Sequence, residues 1–69
     1  MKVSARNFLA GKILEVQKGV TTAVVHIELT GGAVVTASIT NEAVDELGIK
    51  AKGHVTVVVK ASDVMIGVD

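Results

Sequence analysis

From Thr21 to Thr40 the chain alternates with a period of two on either side of a glycine pair, and this pattern fixes most of what the protein can become. Ala23, Val25, Ile27 and Leu29 alternate with Thr22, Val24, His26, Glu28 and Thr30, the spacing that sends successive side chains to opposite faces of a strand. Gly31-Gly32 follows, and glycine supplies the positive φ that a two-residue hairpin turn demands. Ala33 to Thr40 returns with Val35, Ala37 and Ile39 on one face and Val34, Thr36, Ser38 and Thr40 on the other. A hairpin with one apolar face is not stable alone and needs more strands or a helix against it.

The flanking segments provide them. Phe8 to Val16 reads as a strand with Leu9, Gly11 and Ile13 on one face, punctuated by Lys18-Gly19. Glu42 to Leu47 is the one helical candidate. Thr40 or Asn41 can cap it, Glu42 suits its positive end, and Gly48 is placed for a left-handed stop. Lys50 to Gly53 is a polar turn. His54 to Ala61 is a fourth strand with Val55, Val57 and Val59 facing inward, and Val64 to Val68 a fifth. The 14 valines favour strands throughout, because a side chain branched at Cβ is stiff about χ1. Five strands with a short helix between the third and fourth is the element order of an OB-fold barrel. The expected class is therefore all-β, as one domain over residues 1–69.

A barrel of 69 residues buries a small core and usually needs a staple. Cysteine is absent, which removes disulfides and thiolate metal sites. His26 and His54 have no metal-ligand spacing to each other or to a carboxylate cluster. Val24, Val34 and Val58 fall on outer faces, so self-association is the remaining staple and an oligomer is expected. No apolar run reaches the ~20 residues of a membrane span. Met1 to Ala10 carries Lys2, Ser4, Arg6 and Asn7 where a signal peptide would be apolar. A cytoplasmic protein is expected. The formal net charge is zero and Phe8 is the only aromatic. That combination lacks both the electrostatic footprint and the stacking platforms of a nucleic-acid binder.

The chemistry concentrates at the two ends of the chain. Ser4-Ala5-Arg6-Asn7 and Lys60-Ala61-Ser62 combine hydroxyls, a guanidinium, an ammonium and main-chain N–H groups, with no carboxylate among them. Such a set suits a small, fully deprotonated oxyanion. Taken singly, each segment also reads as an ordinary solvated strand end. His26 is a surface or interface histidine, His54 starts a strand, and Gly31-Gly32 is a turn, because no helix follows it to make a phosphate loop. Glu15, Glu28, Asp45 and Glu46 show no pairing that suggests acid–base catalysis.

Together, Ser4-Ala5-Arg6-Asn7, Leu9, Gly11-Lys12-Ile13, Gly19-Val20, Gly31-Gly32, Glu46-Leu47-Gly48 and Lys60-Ala61-Ser62-Asp63-Val64-Met65-Ile66-Gly67 resemble the molbindins. These are the small Mop-type molybdate-binding proteins, and the resemblance runs over essentially the whole chain. It implies an OB-fold subunit in a homo-hexamer, a trimer of dimers, which holds molybdate or tungstate between subunits and performs no catalysis. By position, Ser4, Ala5, Arg6 and Asn7 would contact the anion from one subunit, and Lys60, Ala61 and Ser62 would close the pocket from another. The family pattern adds contacts at the start of the short helix, here Thr40 to Ala43. It also implies a second oxyanion site, placed here at Gly19, Val20, Thr21 and Thr22.

Phe8 and Ala10 depart from the family pattern, where polar residues are common. Asp63 adds a negative charge beside Ser62, and strand alternation would turn it to the face opposite Lys60 and Ser62. Two rivals to oxyanion storage are an assembly module with vestigial sites and, on weaker grounds, a nucleic-acid-binding OB protein.

Overall fold

The structure, a computed structural model, describes residues 1–69. It holds four strands and one helix: β1 (Asn7–Lys18), β2 (Thr22–Leu29), β3 (Val34–Thr40), α1 (Asn41–Leu47) and β4 (His54–Val59). A 3-10 turn follows at Ala61–Asp63. The strands form one antiparallel sheet in the order β3-β2-β1-β4.

β1 is the axis of the sheet. Its first half pairs with β4 from Asn7↔Val59 to Lys12↔His54, and its second half pairs with β2 from Gly11↔Leu29 to Lys18↔Ala23. Only Gly11 and Lys12 have strand partners on both sides. The register slips between Ile13 and Glu15, leaving Leu14 as an extra residue. Such a bulge bends its strand and inverts the alternation beyond it. Leu9, Gly11 and Ile13 do share a face, as their spacing predicts. Past the bulge, Val16 is the residue packed against the core, while Leu14 is exposed.

Ile13, Val25 and Ile27 are the centre of that core, with Leu29, Ala37, Ile39, Val55 and Val57 against them from the same curved face. The predicted inward residues of β2, β3 and β4 are all on this side. The helix is capped by Thr40, whose hydroxyl accepts from the Ala43 N–H at 3.0 Å. Gly48 ends it in the left-handed conformation with φ 63°. Val44 is the helix's buried residue.

Three expectations need correction. The hairpin loop spans three residues rather than two: Leu29 N–H donates to Ala33 O, enclosing Thr30, Gly31 and Gly32, with φ of 101° and 102° at the glycines. The fourth strand stops at Val59, two residues before the predicted end. The chain also has no fifth strand. After Val59 comes the 3-10 turn, and residues 64–68 beyond it are exposed and without strand partners. The four strands therefore curl into a half-barrel, with β3 and β4 as free edges, rather than a closed barrel.

Gly11 sets how tightly this half-barrel curls. A Cβ there would stand 2.5 Å from Ile27 Cγ2 and 3.1 Å from the main-chain oxygen of Glu28. Ile27 is buried and the oxygen belongs to the backbone, so neither yields easily. Gly11→Ala is expected to destabilise the fold by about 1–2 kcal/mol, the overpacking cost less the entropy that alanine recovers. A urea midpoint at fixed protein concentration measures it, and an unchanged midpoint would mean that the sheet relaxes around the methyl.

Candidate functional site

The two donor-rich segments meet at one end of the sheet. Asn7↔Val59 is the terminal pair of β1 and β4, so Arg6 and Lys60 are the next residues out on each strand. Ser4–Asn7 and Lys60–Ser62 therefore leave the ladder side by side within a single chain, although more than fifty positions separate them in sequence. The Asn7 side chain closes the ladder by donating from Nδ2 to Val59 O at 3.1 Å. Ala5 is buried, while Ser4, Arg6, Lys60, Ala61 and Ser62 are exposed.

Five main-chain carbonyls here already have donors. Arg6 Nη1 reaches back to Ser4 O at 3.4 Å and Ala5 O at 3.3 Å. Val59 O is held by Asn7, Lys60 O accepts from Asp63 N–H at 2.9 Å, and Ala61 O accepts from Val64 N–H at 3.3 Å. The N–H groups of Ala61 and Ser62 come first in the 3-10 turn and have no acceptor inside it. What this end offers a ligand is the Lys60 ammonium, the Ser4 and Ser62 hydroxyls and the outer edge of the Arg6 guanidinium.

Asp63 is placed differently from the expectation. Its position was read from strand alternation, but the backbone over Ala61–Asp63 is a 3-10 turn, in which side chains three apart eclipse one another. Strand alternation therefore does not set the side on which Asp63 lies, and its carboxylate forms no ion pair with Lys60.

Thr40 and Ala43 are not part of this cluster. Thr40 pairs with Thr22, beside the Lys18↔Ala23 pair that ends β1. The start of α1 is thus at the far end of β1 from Arg6 and Lys60. At about 3.3 Å per residue β1 would measure about 36 Å if straight, comparable with the 34 Å length of the molecule. Within one chain Thr40–Ala43 adjoins Gly19–Thr22, the second predicted site. The Thr40 hydroxyl and the Ala43 N–H are also occupied with each other.

At that far end sequence reasoning missed two residues. Asn41 entered as an alternative helix cap; Thr40 is the cap, and Asn41 instead donates from Nδ2 to Gly19 O at 3.0 Å and to Val20 O at 3.3 Å. Lys18 Nζ meets Asp45 Oδ1 at 2.7 Å and ties the end of β1 to the helix. Both interactions span more than twenty positions, so no local pattern carries them. His26 is half-buried on the outer face, with Nδ1 3.1 Å from Thr36 Oγ1 and Nε2 4.0 Å from Glu15. That is the surface role its alternation predicts.

Comparison with known proteins agrees with this fold. The TOBE domain profile matches residues 3–66. Molybdenum-pterin-binding protein 2 of Clostridium pasteurianum is 48% identical over 66 residues, covering 96% of this chain and 97% of that protein. Among solved structures, an apo form of MopII from Clostridium pasteurianum superposes with a TM-score of 0.90 at 46% identity, over 97% of this chain and 100% of MopII. ModG, a cytoplasmic molybdate-binding protein solved with molybdate bound, superposes with a TM-score of 0.94 at 40% identity. This chain covers 49% of ModG. On a domain match over nearly its full length and relatives close to half identical, the chain belongs to the TOBE-domain family as a Mop-type protein, a molbindin.

Proposed function

We propose that this protein binds molybdate or tungstate as an intact oxyanion, in pockets between copies of itself, and serves as a cytoplasmic store without catalysing a reaction. The carrying observation is the end of the β1–β4 ladder. There the register brings Ser4–Asn7 and Lys60–Ser62 together, with five carbonyls engaged and the charged and hydroxyl donors left over. Relatives of nearly the same length are named for binding molybdenum-pterin, and ModG for binding molybdate.

The pocket lies between subunits because one chain leaves it open. Taking a dianion out of water is costly and is offset only by a full set of charge-assisted bonds. In the single chain, Arg6, Lys60 and Ser62 are all exposed, and Thr40–Ala43 is at the other end of β1. A second copy supplies the cover and the missing donors.

Assembly is favoured on separate grounds. Only 6 of the 69 residues are buried, too few for a self-sufficient core. The hollow of the half-barrel is an open cavity of about 470 Å³, with Ile13, Val25, Ile27, Ile39 and Val57 among its lining residues. Met65, Ile66 and Val68 extend from the same chain at 92%, 86% and 94% exposure. Burying each of these against a neighbour is worth about 1.5–3 kcal/mol. The reading carried here is a hexamer built as a trimer of dimers.

Native mass spectrometry after incubation with molybdate, in the presence of excess sulfate and phosphate, tests ligand and assembly together. A hexamer carrying several molybdate adducts is the expected result. A bare hexamer would leave an assembly module in place of a store, and a bare monomer would remove the inter-subunit pocket as well.

Isothermal titration with variants tests the site itself. Lys60→Ala removes a formal charge and a charge-assisted bond, so it should weaken molybdate binding by about ten- to a hundredfold. Ser62→Ala removes one neutral donor and should cost about three- to tenfold. Equal effects would mean that Lys60 does not face the anion.

The 3-10 turn adds a prediction of opposite sign. Asp63 closes that turn directly after Ser62, and at such short range its carboxylate opposes a dianion bound there. Asp63→Asn should tighten binding by about threefold to tenfold at low ionic strength, and the gain should shrink as salt screens it. Unchanged affinity at low salt would place Asp63 away from the ligand.

A further inference from the structure

Gly19–Thr22, the turn joining β1 to β2, has an unusual division of hydrogen bonds. All four of its carbonyls are engaged. Gly19 O and Val20 O accept from Asn41 Nδ2, Thr21 O accepts from the Asn41 main-chain N–H at 2.9 Å, and Thr22 O accepts from Gly19 N–H at 2.7 Å. The N–H groups of Val20 and Thr21 have no acceptor in the chain. Val20 is 98% exposed, so the crest of the turn is open to a ligand. Three of the four engaged carbonyls are held by one residue.

Asn41 is itself incompletely satisfied. Its Oδ1 is buried with no hydrogen-bond partner. The orientation of the amide is nonetheless fixed, because the reversed one would set that oxygen against the carbonyls of Gly19 and Val20. A buried acceptor without a donor is a cost, and such a group calls for an explanation beyond packing. Here the other end of the same amide turns two acceptors away from the crest.

We infer that Asn41 is the positioning residue of the second oxyanion site: its side chain holds the Gly19 and Val20 carbonyls inward so that the turn presents only donors to a tetrahedral dianion. The donors left facing the ligand are the N–H groups of Val20 and Thr21 and the hydroxyls of Thr21 and Thr22. This rests on the reading of Gly19–Thr22 as an oxyanion site. Asn41 does not touch the anion in this arrangement. Without its amide, the two carbonyls are free to rotate outward, and an outward carbonyl repels an oxyanion instead of binding it.

The test follows backbone amide signals by NMR in the full-length protein titrated with sodium molybdate. In the parent protein the Val20 and Thr21 amides shift on titration, as do those of Arg6 and Ala61. Asn41→Ala keeps the main-chain bond to Thr21 O and loses only the side-chain clamp. It should need about tenfold more molybdate to move Val20 and Thr21, the loss expected for one charge-assisted bond, a larger change than at Arg6 and Ala61. Val44→Ala loosens the packing of α1 and removes none of the hydrogen bonds of the turn, and its Val20 and Thr21 response should match the parent. An unaltered response in Asn41→Ala overturns the inference. So does an equal loss in Val44→Ala, which would trace the effect to helix stability alone. Silent Val20 and Thr21 signals in the parent would instead refute the second site.

Discussion

The pairing of β1 on both flanks is the constraint on which the rest of the structure depends. Twelve residues are divided between two partners that overlap only at Gly11 and Lys12. A strand shared in this way cannot stay flat, and the bulge at Leu14 completes the bend. Gly11 stands where all three strands come closest, and the absence of a side chain there lets Ile27 pack against the β1 backbone. The two ends of β1 then become separate places. One end carries Ser4–Asn7 beside Lys60–Ser62, the other carries Gly19–Thr22 beside the start of α1.

The same geometry explains why one copy is an incomplete object. Closing a barrel needs a strand to bridge β3 and β4, and the chain's remaining apolar segment, beyond the turn at Ala61–Asp63, pairs with neither. Two unpaired edges, an open hollow and an exposed apolar tail coexist in a chain with a very small core. Free edges and apolar surface together favour pairing with another chain. In the proposed assembly, association would stabilise the fold and cover the site by one event, which would link oxyanion affinity to subunit association.

Much of the fold was legible in the sequence because its signals are local. Alternation from Ala23 to Leu29 and from Val35 to Ile39 predicted the inward faces, and Thr40 and Gly48 marked the ends of α1. Legibility failed where a structural event has no periodic trace. The bulge at Leu14 shifts the phase of β1 inside an apolar run that would pass for a continuous strand. Val64–Val68 has the composition of a strand, and its own chain gives it nothing to pair with. The candidate site was legible only as residue types, a donor set of Ser, Arg, Lys and Ser without a carboxylate. Its arrangement was not: the nearness of Ser4–Asn7 to Lys60–Ser62 follows from the β1–β4 register, and the separation of Thr40–Ala43 from both follows from the length of β1. Asn41 was missed because its partners are 21 and 22 positions away.

Both ends of β1 treat their acceptors alike, and this bears on selectivity more than the donors do. At one end Arg6 and Asn7 occupy the carbonyls of Ser4, Ala5 and Val59; at the other Asn41 occupies those of Gly19, Val20 and Thr21. A hydrogen phosphate ion brings a proton that needs an acceptor, and these carbonyls are already bonded to other donors, so fewer acceptors remain for it. A fully deprotonated dianion brings none and loses nothing. Masking of this kind separates molybdate from phosphate by protonation state, but it cannot separate molybdate from sulfate, which is equally acceptor-only. That discrimination falls to size, measured by whether donors held on two strand ends can all reach the oxygens within hydrogen-bond distance. Donors spaced for the larger molybdate would bind the smaller sulfate with at least one bond stretched. Rigidity is then the requirement for selectivity, and it is provided by the same side chains that mask the carbonyls.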